Sequence, residues 1–221
     1  MSFEALAERL QQVRATIAKL TTRPVTIVAV TKGFGADAVR AALDAGLADI
    51  GENRVQEALQ KQDALRDLTG VRWHLIGHLQ RNKARAVVGR FELVHSLDSL
   101  ELATELHRRS STPQRVLLQV NVARESQKSG CAAEEAPVLA GHIAALGNLR
   151  LEGLMTLAPF TDDVDVQRRT FRGLRVLRDS IKEEDGLWLE TLSMGMSGDY
   201  ATAVAEGATV IRLGTALFGP R

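Results

Sequence analysis

The feature that most constrains this chain is an alternation. Short runs rich in Val, Ile and Leu are separated by segments with helical spacing, and the pattern continues to the end. The first run, Thr26-Ile27-Val28-Ala29-Val30-Thr31-Lys32, is followed by Gly33 and Gly35. It reads as a buried strand ending in a flexible turn. Helix 36–45 then leads to strand 48–52, helix 54–67 to strand 72–76, and helix 80–89 to strand 91–96. Helix 99–109 precedes strand 115–122, and helix 132–146 precedes strand 150–157. Helix 165–182 precedes strand 190–195, and helix 200–206 precedes strand 209–213. Such alternation implies parallel β/α units. Eight of them predict closure into a (β/α)8 TIM barrel. An open doubly wound sheet is the alternative.

Ahead of the first strand, Phe3, Leu6, Leu10, Val13, Ile17 and Leu20 mark one face of an amphipathic helix, which Pro24 forbids from continuing. The expected fold is therefore an α/β barrel with an extra N-terminal helix. A barrel of this kind takes roughly 200 residues at the least. The 221 residues here therefore form one domain over 1–221. The most polar break, at 123–131, stands between a strand and a helix and is no linker.

Composition narrows the partners. The formal charge of +1, with both signs interspersed, gives no field to attract nucleic acid. No apolar stretch approaches the roughly 18 residues of a membrane helix, and the N-terminus lacks the apolar core of a signal peptide. The single cysteine, Cys131, cannot form an internal disulfide, which fits a reducing compartment. A cytoplasmic protein is expected.

In such barrels functional groups gather where strands end. Lys32 closes the first strand, a charge after an apolar run. It is either an ordinary lysine, in solvent or paired with a carboxylate such as Glu52, or a partly desolvated amine, nucleophilic toward an aldehyde. Strand seven runs into Ser193-Met194-Gly195-Met196-Ser197-Gly198-Asp199, and strand eight into Gly214-Thr215. Barrels frequently bind phosphate after these two strands, where glycine backbone N–H groups and Ser or Thr hydroxyls approach the oxygens. A helix starting near Tyr200 adds its positive end. Arg212 stands between Ile211 and Leu213 and shares a strand face with Val210 and Gly214. It needs an acceptor: either a carboxylate such as Glu52 or Glu152, or the pyridine nitrogen of pyridoxal 5′-phosphate (PLP). A Schiff-base lysine, a phosphate cradle and a ring-nitrogen partner are the three handles PLP requires.

Other candidates carry less. His74 and His78 stand four apart around the third strand end, a metal-ligand spacing only on a helix, and read as exposed or hydrogen-bonded. His95, His107 and His142 have no companions in the sequence, and no metal is expected. Asn82, Lys83 and Arg85 read as a solvated helix face, although Arg81 and Lys83 add positive potential toward an anionic phosphate ester.

These residues fall within a recognisable set. Ala29-Val30-Thr31-Lys32, Gly51-Glu52-Asn53-Arg54-Val55-Gln56-Glu57, and Trp73 through Lys83 are followed by Gln119-Val120-Asn121, Gly153-Leu154-Met155, Leu192 through Ser197, and Arg212-Leu213-Gly214-Thr215. The chain resembles the PLP homeostasis protein family, also called the YggS or PROSC family, over residues 29 to 219. The resemblance implies a fold similar to the alanine racemase N-terminal barrel. It also implies PLP as a Schiff base on Lys32, Arg212 facing the pyridine nitrogen, and Ser197, Gly214 and Thr215 around the phosphate. Ser193 is a further phosphate neighbour, and Asn53 lies near the ring. Relatives commonly follow the lysine with a Pro-containing stretch, where this chain has Gly33-Phe34-Gly35.

PLP catalysis of amino-acid chemistry needs more than PLP. Arginine stays protonated and only donates, so a ring nitrogen facing Arg212 is unprotonated and the ring is a weak electron sink. A racemase needs acid/base groups on both faces of its substrate. Lys32 serves one face, and Tyr200, the only tyrosine, is not expected to serve the other. The expected role is a carrier or buffer in vitamin B6 homeostasis, with no catalytic residue. It would act on amino-acid pools and release PLP to apo PLP-dependent enzymes. A low-activity amino-acid racemase or lyase is the alternative. A monomer is expected, because the dimer-shared site of two-domain relatives would need a second domain.

Overall fold

The computed structural model describes residues 3–125, 127 and 129–220. Met1, Ser2 and Arg221, at the ends of the expected domain, and Ser126 and Lys128, within the polar break at 123–131, lie outside them. Helix α1 (Leu6–Leu20) comes first. Strands β1 (Thr26–Val30), β2 (Asp49–Glu52), β3 (Arg72–Leu75) and β4 (Leu93–Leu97) follow, with β5 (Gln114–Gln119), β6 (Leu149–Met155), β7 (Thr191–Ser193) and β8 (Val210–Leu213) completing the sheet. All pairs are parallel and β8 returns to β1, so the sheet is a closed barrel in chain order. The open-sheet alternative is excluded.

The helices between strands are α2 (Ala36–Asp44), α3 (Val55–Ala64), α4 (Ala84–Val87), α5 (Leu100–Arg109), α6 (Ala136–Ala144), α7 (Val164–Asp185) and α8 (Tyr200–Ala205). The segment read as helix 80–89 is a 3₁₀ turn at Arg81–Lys83 running into the single turn of α4. Helix α6 starts at Ala136 rather than 132, because Pro137 suits only its first turn. A short helix after β8, α9 (Thr215–Phe218), has no counterpart in the sequence reading.

Apolar burial divides into two layers. The larger core fills the space between barrel and helices, from Leu6, Leu10 and Val13 of α1 to Phe171 and Leu174 of α7. Helix α1 packs against α8 and α9. The rings of Phe3, Phe34 and Phe218 meet at centroid distances of 5.3 to 5.9 Å, tying both chain ends to the turn after β1. A small second cluster, Leu93, Leu117 and Met155, belongs to the barrel interior. Strand alternation also turns Val28, Gly51, His74 and Arg212 inward: Val28 pairs with Arg212, and Gly51 with His74. The barrel lumen is therefore partly polar. Beyond β5, Val120 and Cys131 form an isolated parallel bridge, which returns the polar loop to the barrel and buries the thiol. Burial, reinforced by Glu135, pushes that thiol up to about 12.

Candidate functional site

Strand β1 stops at Val30, so Lys32 sits in the turn beyond it rather than on the strand end, and its side chain is exposed. The turn is built around a buried cation that sequence reasoning missed. Lys61, on α3, donates to the Thr31 carbonyl at 2.7 Å, to Glu52 Oε1 at 2.6 Å and to Glu57 Oε1 at 3.2 Å. Thr31 Oγ1 donates to the same Glu52 oxygen at 2.5 Å. Glu57 accepts the N–H of Gly33, whose φ of +74° suits glycine. Glu52 is thereby committed to Lys61 and Thr31, and pairs with neither Lys32 nor Arg212. The signal available in the sequence was the Glu57/Lys61 spacing on a helix facing the Lys32 turn.

Arg212 is buried in β8 at 3% exposure. Its Nη1 donates to Ser193 Oγ at 2.5 Å and its Nη2 to the Thr156 carbonyl at 2.9 Å. Glu152 is bound instead by Arg115 and Arg150, so neither expected carboxylate pairs with Arg212. Burial pulls the guanidinium down to about 10, with Asp199 acting in the opposite direction. It remains a cation near neutrality and can only donate.

The turns after β7 and β8 meet. Gly195, at φ +94°, swings the chain out of β7, and a Cβ there would lie 2.6 Å from the Ala203 methyl carbon. Its carbonyl accepts the N–H of Arg212. Two residues on, Ser197 Oγ accepts the backbone N–H groups of Gly214 at 3.2 Å and Ala216 at 3.1 Å. Two backbone donors of the turn after β8 thus converge on one hydroxyl of the turn after β7. Across the barrel mouth, Gly77 lies so close to Asn53 that a Cβ would stand 2.2 Å from the Asn53 carbonyl oxygen. This contact fixes Asn53 at the rim.

Lys32, Asn53, Ser197, Arg212, Gly214 and Thr215 line one cavity of about 690 Å³ at the C-terminal end of the barrel. Val30, Phe34, Ile76 and Leu157 supply apolar wall, and Phe160 stands fully exposed at the rim. Ser193 is the exception among the expected residues. It is fully buried, does not line the cavity, and spends its hydroxyl on Arg212 and His95. Tyr200 packs against the outer core and does not line the cavity either. His78 is exposed beside Asp98. His74 and His95, by contrast, are buried and hydrogen-bonded to each other at 2.9 Å, so His95 has a companion after all.

The sequence model of the family described as alanine racemase, N-terminal domain, matches residues 1–221. The pyridoxal phosphate homeostasis protein of Pseudomonas aeruginosa is 45% identical over 225 residues, covering 98% of this chain and 96% of that protein. That of Escherichia coli K12 is 39% identical over 234 residues, covering 98% and 97%. Among solved structures, PipY of Synechococcus elongatus with PLP bound is 38% identical with a TM-score of 0.87, covering 97% of this chain and all of that one. Alanine racemase from Corynebacterium glutamicum shares the fold, with a TM-score of 0.80 at 17% identity, and this chain covers 62% of it. The barrel, the site geometry and these likenesses agree: the chain belongs to the alanine racemase N-terminal domain family and, within it, to the pyridoxal phosphate homeostasis proteins.

Proposed function

We propose that this chain binds PLP in the cavity at the barrel mouth, holds it as a Schiff base on Lys32, and serves as an intracellular carrier or buffer of the cofactor. The observation that carries the reading is the convergence of three kinds of group on one cavity: an exposed amine, a buried cationic donor, and the loops after β7 and β8. The residues fit the group. Lys32 makes no ion pair among the described residues, so its amine is open to an aldehyde. Gly214 and Ser197 stand where barrels hold phosphate. The cavity volume lies within the range of small-ligand sites. PLP supplies an aldehyde that condenses reversibly with amines and a ring that stabilises negative charge once its nitrogen is protonated.

The residues favour holding over transforming. Arg212 only donates and has no lone pair to accept an N–H, so it offers the ring nitrogen a hydrogen bond and nothing that would keep it protonated. Tyr200 is turned to the outer core, away from the cavity. In this reading Asn53 flanks the ring and Thr215 the phosphate. The cavity is open to solvent, which suits release to apo PLP-dependent enzymes and influence on amino-acid pools. The protein acts as a cytoplasmic monomer, its site completed by one chain. No helix among the described residues is long and apolar enough to cross a membrane.

Borohydride reduction of the PLP-loaded protein followed by peptide mapping tests the central claim. A pyridoxyl adduct on Lys32, absent in Lys32→Ala together with the visible band, is the expected result. An adduct elsewhere, or none, overturns it. Incubation with single amino acids in heavy water separates carrier from racemase or lyase. Exchange of the α-hydrogen at enzymatic rates would sink the carrier reading.

A further inference from the structure

A continuous line of polar side chains runs through the barrel lumen beneath the cavity. At its far end Arg72, half exposed at the start of β3, holds Asp49 with two bonds of 2.7 and 2.6 Å. Asp49 Oδ1 lies 2.9 Å from His74 Nε2. His74 Nδ1 lies 2.9 Å from His95 Nε2, and His95 Nδ1 lies 2.8 Å from Ser193 Oγ. Ser193 Oγ accepts from Arg212 at 2.5 Å, and Arg212 lines the cavity. Between them β2, β3, β4, β7 and β8 contribute one or two members each. The acidic and histidine members are strung in a line, and among the described residues no group of three such side chains is arranged to hold a metal ion.

Counting protons gives this line a direction. An ionised Asp49 only accepts, and Arg212 only donates. If His74 is neutral and gives its Nε2 proton to Asp49, its Nδ1 must accept from His95 Nε2–H. His95 Nδ1 must then accept the Ser193 hydroxyl proton, which leaves the Ser193 lone pairs for Arg212. Every proton in the line has a partner. If His74 is instead protonated at both nitrogens, it donates to His95, and His95 donates to Ser193. Ser193 then accepts twice, and its own buried proton has no acceptor among the described residues, which is costly. His95 is buried, with His74 and Arg212 beside it, and all of these hold it well below the ordinary histidine range, so its ring is neutral in either arrangement and the Ser193 proton decides between them.

We propose that Asp49, His74 and His95 are positioning residues for the cofactor site: a one-way hydrogen-bond chain that fixes Ser193 as acceptor and so holds the Arg212 guanidinium at the cavity floor. The carboxylate that acts on the Arg212 charge is Asp199; the chain's part is to keep the Ser193 oxygen turned toward the guanidinium. This inference rests on Arg212 facing PLP, but its first half concerns the protein alone.

Nitrogen-15 NMR of the histidine rings, in the PLP-free and PLP-loaded protein, reads the direction without any activity. Both His74 and His95 are expected as Nε2–H tautomers. An Nδ1–H tautomer at His95 overturns the chain, whether or not PLP binds at Lys32. The positioning role is read by PLP titration and the visible band. His95→Phe should weaken PLP binding about tenfold, as the loss of one well-placed hydrogen bond implies, and shift the band. His95→Gln should recover most of both. Asp49→Leu, which removes the acceptor at the far end, gives the same readout if His95→Phe does not fold. PLP binding within about twofold of wild type in these variants, with the band unmoved, would overturn the positioning role.

Discussion

The buried amine of Lys61 donates to the carbonyl of Thr31 at 2.7 Å, one residue before the lysine that faces the cavity. The same amine reaches Glu52 and, through Glu57, the N–H of Gly33 on the other side of Lys32. One lysine is thus spent on holding another in place. The distinction between them is burial: Lys61 is 7% exposed and fully partnered, whereas Lys32 is exposed and makes no ion pair among the described residues.

Replacing Lys61 by Met should leave Glu52 buried without its cation. One of its oxygens, Oε2, already has no hydrogen-bond partner among the described residues, and burial pushes its carboxyl upward despite Lys61 and Thr31. A loss of about 3–5 kcal/mol in urea unfolding is expected, as for other broken buried pairs. Adding Glu52→Gln should restore more than half. A single variant losing under about 1 kcal/mol would show that the pair is solvated in solution.

Gly214→Ala should separate phosphate recognition from the rest of the site. A methyl group there meets no protein atom nearer than the Val30 carbonyl at 3.6 Å, an ordinary contact, so it has room in the fold and stands in the cavity. PLP binding should weaken about tenfold or more in a visible-band titration, while pyridoxal, which lacks the phosphate, binds as before. Equal losses for both ligands would place the effect at Lys32 and not at the phosphate loops.

Asp49 makes stability depend on acid in a defined sense. Burial raises its carboxyl, but the bonds from His74 and Arg72 outweigh this and bring it from 3.8 to about 2. A depressed carboxyl stabilises the fold above its unfolded pKa and loses that contribution as pH falls through the folded one. The contribution amounts to about 2 kcal/mol. The stability difference between wild type and Asp49→Asn should therefore be constant above about pH 5 and shrink toward pH 2. A difference that grows on acidification would contradict the assignment.

Gly77→Ala should damage the rim that carries Asn53. The added carbon would stand 2.2 Å from the Asn53 carbonyl oxygen and 2.7 Å from its Cα, and backbone atoms cannot rotate away. A loss of about 1–3 kcal/mol follows from overpacking of this kind. Thermal unfolding reads the loss, and weaker PLP binding in the surviving folded fraction reads the displaced Asn53.

Much of this was legible before the fold was known, because strand ends of a parallel barrel share one face and the odd polar residue at each end can be found by inspection. Lys32, Asn53, Ser197, Arg212, Gly214 and Thr215 were brought together in that way or by family likeness. The same inspection, applied to strand interiors, would have caught Trp73-His74-Leu75 and Val94-His95-Ser96 as well. Their partnership was hidden because it depends on register between β3 and β4, where His74 pairs with Leu93 and so lies diagonal to His95. In sequence Ser193 reads as a phosphate neighbour, by family likeness and because it leads into the Ser197 turn. The face of β7 that it occupies turns it inward to Arg212 instead. Lys61 was passed over because a lysine on an amphipathic helix ordinarily reaches solvent, and only tertiary packing buries this one.

The bridge between Val120 and Cys131 has a consequence for covalent chemistry. It buries the one thiol of the chain and keeps it protonated at any physiological pH. Aldehydes, alkylating reagents and mild oxidants all require a thiolate at the surface to react with sulfur of this kind. None is presented, so a reactive carbonyl arriving at this protein meets nitrogen nucleophiles only, and a cysteine introduced anywhere on the surface becomes its sole addressable sulfhydryl.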